Sequence, residues 1–279
     1  MHINYVQQVK QNRIARVGTG LLGLIILVAL VGPVLVPHSP VEHSVDVLLP
    51  PGDGHWLGTN DVGQDIFSRL VWGARTSLVV AVGVAVLSML LGIMVGAGAA
   101  LAGGWVDNLL MRFTDALLTI PPVLVIILVA AYLQPGLPLL VLTLALIGWP
   151  VGARVIRAQT LTLKQRTHVY AARTFGAGQW QAFYKHVLPD LTPVITVGLV
   201  QNARRAVVTE AGLAFLGITD PGTVSWGMMI QHALKFSYLD VWQWWLLPAG
   251  AALALTVLAF SYLGYALEEI VDPRLRPGV

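Results

Sequence analysis

The stretch "SLVVAVGVAVLSMLLGIMVGAGAAL" runs from Ser77 to Leu101 without a charged side chain. Roughly 20 apolar residues in helical form cross the ~30 Å hydrocarbon core of a bilayer, so length and composition alone make this run a transmembrane helix. Five more stretches read the same way: Gly18 to Val36, Leu109 to Leu133, Leu137 to Val155, Leu191 to Phe215 and Trp244 to Leu267. The expected fold class is all-α, a polytopic membrane protein with six transmembrane helices. Composition agrees, with 56% of the 279 residues hydrophobic, 11% charged and a mean hydropathy of +0.73. That is more apolar surface than a soluble domain of this size buries.

Lys10, Arg13 and Arg16 before the first run imitate a secretory signal. The run is long for a signal core and has no small-x-small cleavage site after it, so an uncleaved first span with a cytoplasmic N-terminus is expected. Alternating the other spans from that start places Arg112, Arg154, Arg157, Lys164, Arg166, Arg173, Lys185, Arg274 and Arg276 inside as well. Only Arg69, Arg75 and Lys235 fall outside, as the positive-inside rule requires. The acids Glu42, Asp46, Asp53, Asp61, Asp65, Asp220 and Asp240 fall outside. The segments are then 1–17, cytoplasmic; 18–36, the first span; 37–76, an external loop; 77–267, a five-helix core with its cytoplasmic connection at 156–190; and 268–279, a cytoplasmic tail.

Several local patterns carry expectations. Gly92, Gly96, Ala100 and Gly104 recur every fourth residue, a small-residue stripe that lets a second helix approach closely. Pro121, Pro122 and Pro150 lie inside spans and bend them. Tyr238, Trp242, Trp244 and Trp245 read as anchors at the membrane interface. Arg112 and Asp115 are three apart and placed to pair along a helix face, and Asp107 suits a first helical turn. "LGTNDVGQD", Leu57 to Asp65, is rich in turn formers and reads as a folded cap.

Other classes are excluded. Without cysteine there is neither disulfide framework nor thiolate chemistry. The pI near 9.3 comes from scattered cations rather than a basic run, so no nucleic-acid partner is expected. There is no G-x-x-x-x-G-K-[ST] loop, no H-E-x-x-H helix and no G-x-S-x-G elbow, and no catalytic residue is assigned. His38, His43 and His55 share the first external loop with Glu42, Asp46 and Asp53, but their spacing fits no compact site, and no metal site is assigned.

The segment "YAARTFGAGQWQAFYKHVLP", Tyr170 to Pro189, is a polar hairpin in a greasy chain. Val169, Ala172 and Phe175, then Trp180, Phe183 and Val187, fall on one side of two short helices, broken at Gly176 to Gly178 and stopped at Pro189. Ala171, Ala172, Gly176 and then His186, Val187, Leu188 and Pro189 resemble the "EAA" loop of membrane subunits of ATP-binding-cassette (ABC) importers. "HWLGTNDVGQDIFSRLVWGARTSL" (His55 to Leu78), "EAGLAFLGITDPGTVSWGMM" (Glu210 to Met229) and "LTVLAFSYLGYALEEIVDPRLR" (Leu255 to Arg276) are similar to blocks of the oligopeptide, dipeptide and nickel branch of that family. The chain departs from the pattern at Tyr170, where a Glu is usual, at Asn60 for Asp and at Gln64 for Arg.

The resemblance implies a type I importer permease in the inner membrane of a prokaryote, with both termini cytoplasmic. It implies a homologous second permease, two ATPase subunits that bind ATP and Mg, and an external solute-binding protein; this chain itself holds no cofactor. Tyr170, Ala171, Ala172, Gly176, His186, Leu188 and Pro189 would then couple ATPase motion to the membrane helices. Short peptides are the leading cargo and nickel or a metal chelate the alternative; a stand-alone secondary transporter would need inverted half-repeats, which the sequence does not display. Gln201, Asn202, Arg204, Arg205 and Glu210 lie in the fifth span, and polar groups at membrane depth face the bundle interior or water. Gln201, Arg204, Arg205 and Glu210 are therefore the pathway candidates, with an internal ion pair or snorkelling as the structural alternative.

Overall fold

The computed structural model describes residues 12–52, 54–133, 136–220 and 222–271. Lys10, Asp53, Arg274, Arg276 and residues 272–279 of the expected cytoplasmic tail lie outside the described residues, as does most of segment 1–17. Helix α1 is Arg13–Leu35. It starts five residues before the apolar run because Asn12 caps it, the side-chain oxygen accepting from the Ile14 and Ala15 N–H groups at 2.8 and 3.3 Å.

Helix α2, Ile66–Ala102, has 37 residues and is about 55 Å long at 1.5 Å per residue. The loop that precedes it therefore ends at Asp65 rather than at residue 76, and Arg69 and Arg75 belong to the helix. Asp65 is the reason: its carboxylate accepts from the Ser68 N–H at 2.7 Å and stabilises a helix start well before the apolar run at Ser77. At the other end Gly103 and Gly104 have φ of +65° and +55° and turn the chain into α3, Gly104–Thr119. Gly104 consequently leaves the small-residue stripe.

Helix α4, Pro122–Leu133, follows α3 at a bend of 76°. Pro121 and Pro122 supply no N–H there, so the expected third span is broken in its middle. Helix α5 is Leu137–Leu163, α6 Thr167–Thr174 and α7 Gln179–Ala182. A π-helical turn, Phe183–Val187, leads into α8, Leu188–Phe215. Helix α9, Trp226–Lys235, one 3₁₀ turn at Asp240–Gln243 and α10, Leu246–Val271, complete the chain. The described residues hold only isolated β-bridges, in the first loop.

Four segments are long and apolar enough to cross a bilayer, namely α1, α2, α5 and Asp240–Glu269; the bent pair α3–α4 makes a fifth. The remaining expected span, the fifth in chain order, Leu191 to Phe215, is helical throughout, but its polar residues set it apart from the other five. Helix α2 is the hub, lying along α5 and also touching α8 and α1, while α10 packs on α1 and α8. Gly96 permits the α2–α5 contact: a Cβ placed there would sit 2.3 Å from the carbonyl oxygen of Ala153. Trp245 is 1% exposed and stacks on Phe236 with ring centroids 6.0 Å apart. It is a core residue, not an interface anchor, because the 3₁₀ turn rotates it inward.

Charges tie α3 to α5. Asp115 pairs with Arg154 of α5, not with Arg112. Asp107 takes a bidentate contact from Arg157, at 2.5 and 2.6 Å. A packed neighbour helix outcompetes the local pairing because it fixes both partners. Removing the charge with Asp107→Asn is expected to cost about 1–3 kcal/mol, read as a fall of several degrees in the melting temperature of the detergent-purified protein. An unchanged midpoint would show that the pair is only a solvated surface contact.

Candidate coupling hairpin and membrane cleft

The hairpin connects α5 to α8 and packs against the C-terminal end of α2. Helix ends leave carbonyls without intrahelical partners, and two of these bind hairpin side chains: Ala100 O accepts from Lys164 Nζ at 2.9 Å, and Leu101 O accepts from Gln179. Arg166 and His168 on the first arm meet Asp190 on the second, at 3.3 and 3.4 Å. Between the arms, α6 closes in a Schellman turn. Ala177 N–H donates to Ala172 O and Gly176 N–H to Arg173 O, both at 3.0 Å, and Gly176 takes φ +93°, which costs a side-chain-bearing residue about 1–2 kcal/mol.

Val169, Ala182, Phe183 and Val187 point inward onto Met89, Ala97, Ile156, Leu163 and Leu191. Phe175 and Trp180 do not share that face. Phe175 is 90% and Trp180 62% exposed, beside the similarly exposed Tyr170 and Tyr184, and Trp180 stacks on Tyr184 at 6.2 Å. Helical periodicity misplaced them because Phe175 caps α6 and the turn resets the register of α7. Ala171, Ala172, His186 and Leu188 are half-buried, whereas Pro189 is exposed.

Pro189 does not stop the second arm. The Leu188 N–H reaches back to Phe183 O, five residues away, and this π turn accommodates a proline that has no N–H and would crowd the carbonyl one turn earlier. The arm and α8 therefore form one uninterrupted helical rod from Gln179 to Phe215.

Along that rod, successive residues turn by about 100°. Val194, Val197, Gly198, Gln201, Asn202 and Arg205 share a stripe and line a cleft of about 360 Å³ with Met89, Val151, Gly152, Val155, Ile156 and Glu268. Gln201 donates to Glu268 at 2.8 Å. Of the pathway candidates the cleft thus gathers Gln201 and Arg205, with Asn202 between them. Arg204 is turned away, half-buried, with its Nε lacking a hydrogen-bond partner. Glu210 is 2% exposed on the opposite side of α8, near the N-terminus of α9, and its Oε2 has no partner. Sequence reasoning missed Glu268 by assigning it to the tail; its place inside the block Leu255 to Arg276, one helical turn before α10 ends, was the available signal.

Residues 88–277 match the family described as "Binding-protein-dependent transport system inner membrane component". Residues 5–51 match "N-terminal TM domain of oligopeptide transport permease C". The chain belongs to the binding-protein-dependent ABC permeases. A Brucella suis biovar 1 protein bearing a peptide-permease name is 38% identical over 269 residues, covering 95% of this chain and 88% of the relative. The dipeptide transport system permease protein DppC of Bacillus subtilis is 35% identical over 272 residues (97% and 85%), and the oligopeptide transport system permease protein OppC of the same organism is 35% identical over 272 residues (96% and 88%). The permease accordingly has the all-helical type I importer fold of an inner-membrane transport family.

Two departures from the family pattern explain each other. Asn60 Nδ2 donates to Gln64 Oε1 at 2.9 Å, and Asn60 Oδ1 accepts the N–H groups of Val62 and Gln64 at 3.1 and 2.7 Å. An amide pair thus occupies the positions where the pattern carries Asp and Arg, and Gln64 also accepts from the buried Arg69. In the same permease loop His55 Nδ1 lies 2.9 Å from Asp65, the His38 ring lies tilted against His55 at 4.6 Å, and His43 Nε2 faces the Gln64 amide. Each ring is engaged separately, and no group of three potential ligands converges among the described residues. His232 is half-buried in a pocket with His43, Asp61 and Arg69, and burial lowers its pKa.

Proposed function

We propose that this permease forms one half of the transmembrane route of an ATP-driven importer of short peptides, with a homologous permease forming the other half. ATP and Mg are held by two partner ATPases and cargo is delivered by an external solute-binding protein; both termini of the permease face the cytoplasm. The supporting observation is the unbroken rod from the hairpin into α8. A displacement imposed on the aromatic outer face of the hairpin is passed along this continuous helix, through the π turn and Pro193, to the cleft-lining residues. ATP-driven closure of the motor subunits then shifts a two-state equilibrium by preferring one hairpin position.

The relatives' names support peptides over nickel. In cells deleted for this chain, re-expression is expected to restore uptake of labelled trialanine and leave radioactive nickel uptake unchanged. Restoration of nickel uptake alone would overturn the peptide reading.

A further inference from the structure

The cleft presents two opposite charges that do not neutralise one another. Gln201 reaches Glu268, whereas Arg205 makes no ion pair among the described residues. Arg205 is one turn beyond Gln201 on α8, about 6 Å further along the axis, so the cationic and anionic groups are offset along the rod, with the carboxylate nearer the hairpin. Between and around them the walls are Val151, Val155, Val194 and Val197. Arg205 is exposed on α8, and a guanidinium on a helix of a membrane bundle is retained where it meets water or a ligand.

Resting on the peptide reading above, we propose that this cleft is a zwitterion site, in which Glu268 takes the α-amino group and Arg205 the α-carboxylate of a short peptide while the valines accommodate its side chains. The charge pattern sorts ligands. A bare anion is drawn by Arg205 and repelled by Glu268, a bare cation the reverse, and only a ligand with both charges satisfies both groups. An extended residue covers at most ~3.6 Å, so two or three residues bridge the offset once side-chain reach is included. A volume of about 360 Å³ lies at the small end of the range for ligand pockets. The bound peptide is oriented with its amino end toward the hairpin.

The test uses the assembled membrane complex in nanodiscs without its binding protein, so that the latter's selectivity does not enter. The probes are labelled trialanine, N-acetyl-trialanine and trialanine amide. Glu268→Gln keeps an acceptor for Gln201 and removes only the charge. It is expected to weaken binding of trialanine and its amide about tenfold and not to weaken the N-acetyl form, whose carboxylate is freed of a repulsion. Arg205→Gln is expected to weaken trialanine and the N-acetyl form about tenfold and to spare the amide. Equal losses on all three probes would overturn the proposal and assign the two residues to helix packing. If cells carrying the complete wild-type system import trialanine but the nanodisc complex binds none of the probes, the proposal is overturned and the peptide reading stands. If those cells import no trialanine, both are removed.

Discussion

Replacing Phe175 and Trp180 together by Asp is expected to abolish uptake, by more than 100-fold, while the permease still inserts and purifies. Both rings stand outside the bundle, 90% and 62% exposed, and burying an aromatic side chain of this size is worth about 1.5–3 kcal/mol. Aromatic anchors at the centre of an interface often exceed 2 kcal/mol each, and two lost together amount to roughly a thousandfold in affinity. Two carboxylates add a desolvation cost on the docking face. The inner face, Val169, Phe183 and Val187, is untouched, so the hairpin keeps its fold. Copurification of the ATPase subunits with a tagged permease, measured beside uptake, separates lost docking from lost folding. Uptake within twofold of wild type would remove the hairpin from the coupling role.

Gly96→Leu should prevent recovery of folded permease, and Gly98→Leu should be harmless. Both exchanges favour helix by propensity, which leaves space as the difference. A Cβ at residue 96 lies 2.3 Å from the Ala153 carbonyl oxygen and 3.1 Å from its Cα, whereas one at residue 98 meets nothing within 4 Å. Since the obstacle at Ala153 is backbone, no rotamer relieves it and α2 must move away from α5. Overpacking of this kind costs about 3 kcal/mol. Separation also stretches the bond from Ser88 Oγ to Ala145 O, now 3.2 Å. Size-exclusion profiles of the two variants provide the measurement. Equal monodisperse yields would show that the helices can part at little cost.

Much of the candidate site was legible before any coordinates. The hairpin, its Gly176 turn and the polar run on α8 are local features, each written in a few consecutive residues, and the sequence motifs placed them in order. What failed is equally specific. Phe175 and Trp180 were placed on the wrong face because a periodicity argument runs straight through a turn that resets the register. Pro189 was read as a stop because the rule for proline assumes an i→i−4 helix, and a π turn evades it.

By itself the amino-acid sequence determined the helical class, the rough position of each apolar segment and the presence of one polar elbow, because hydrophobic length and turn chemistry act over neighbouring residues. Only the tertiary structure decided that Asp115 meets Arg154 instead of Arg112, that Arg205 and not Arg204 lines the cleft, and that Glu268, 67 residues from Gln201, is its partner. Those choices depend on how rods rotate and pack against one another, and that rotation is settled by contacts between residues far apart in the chain.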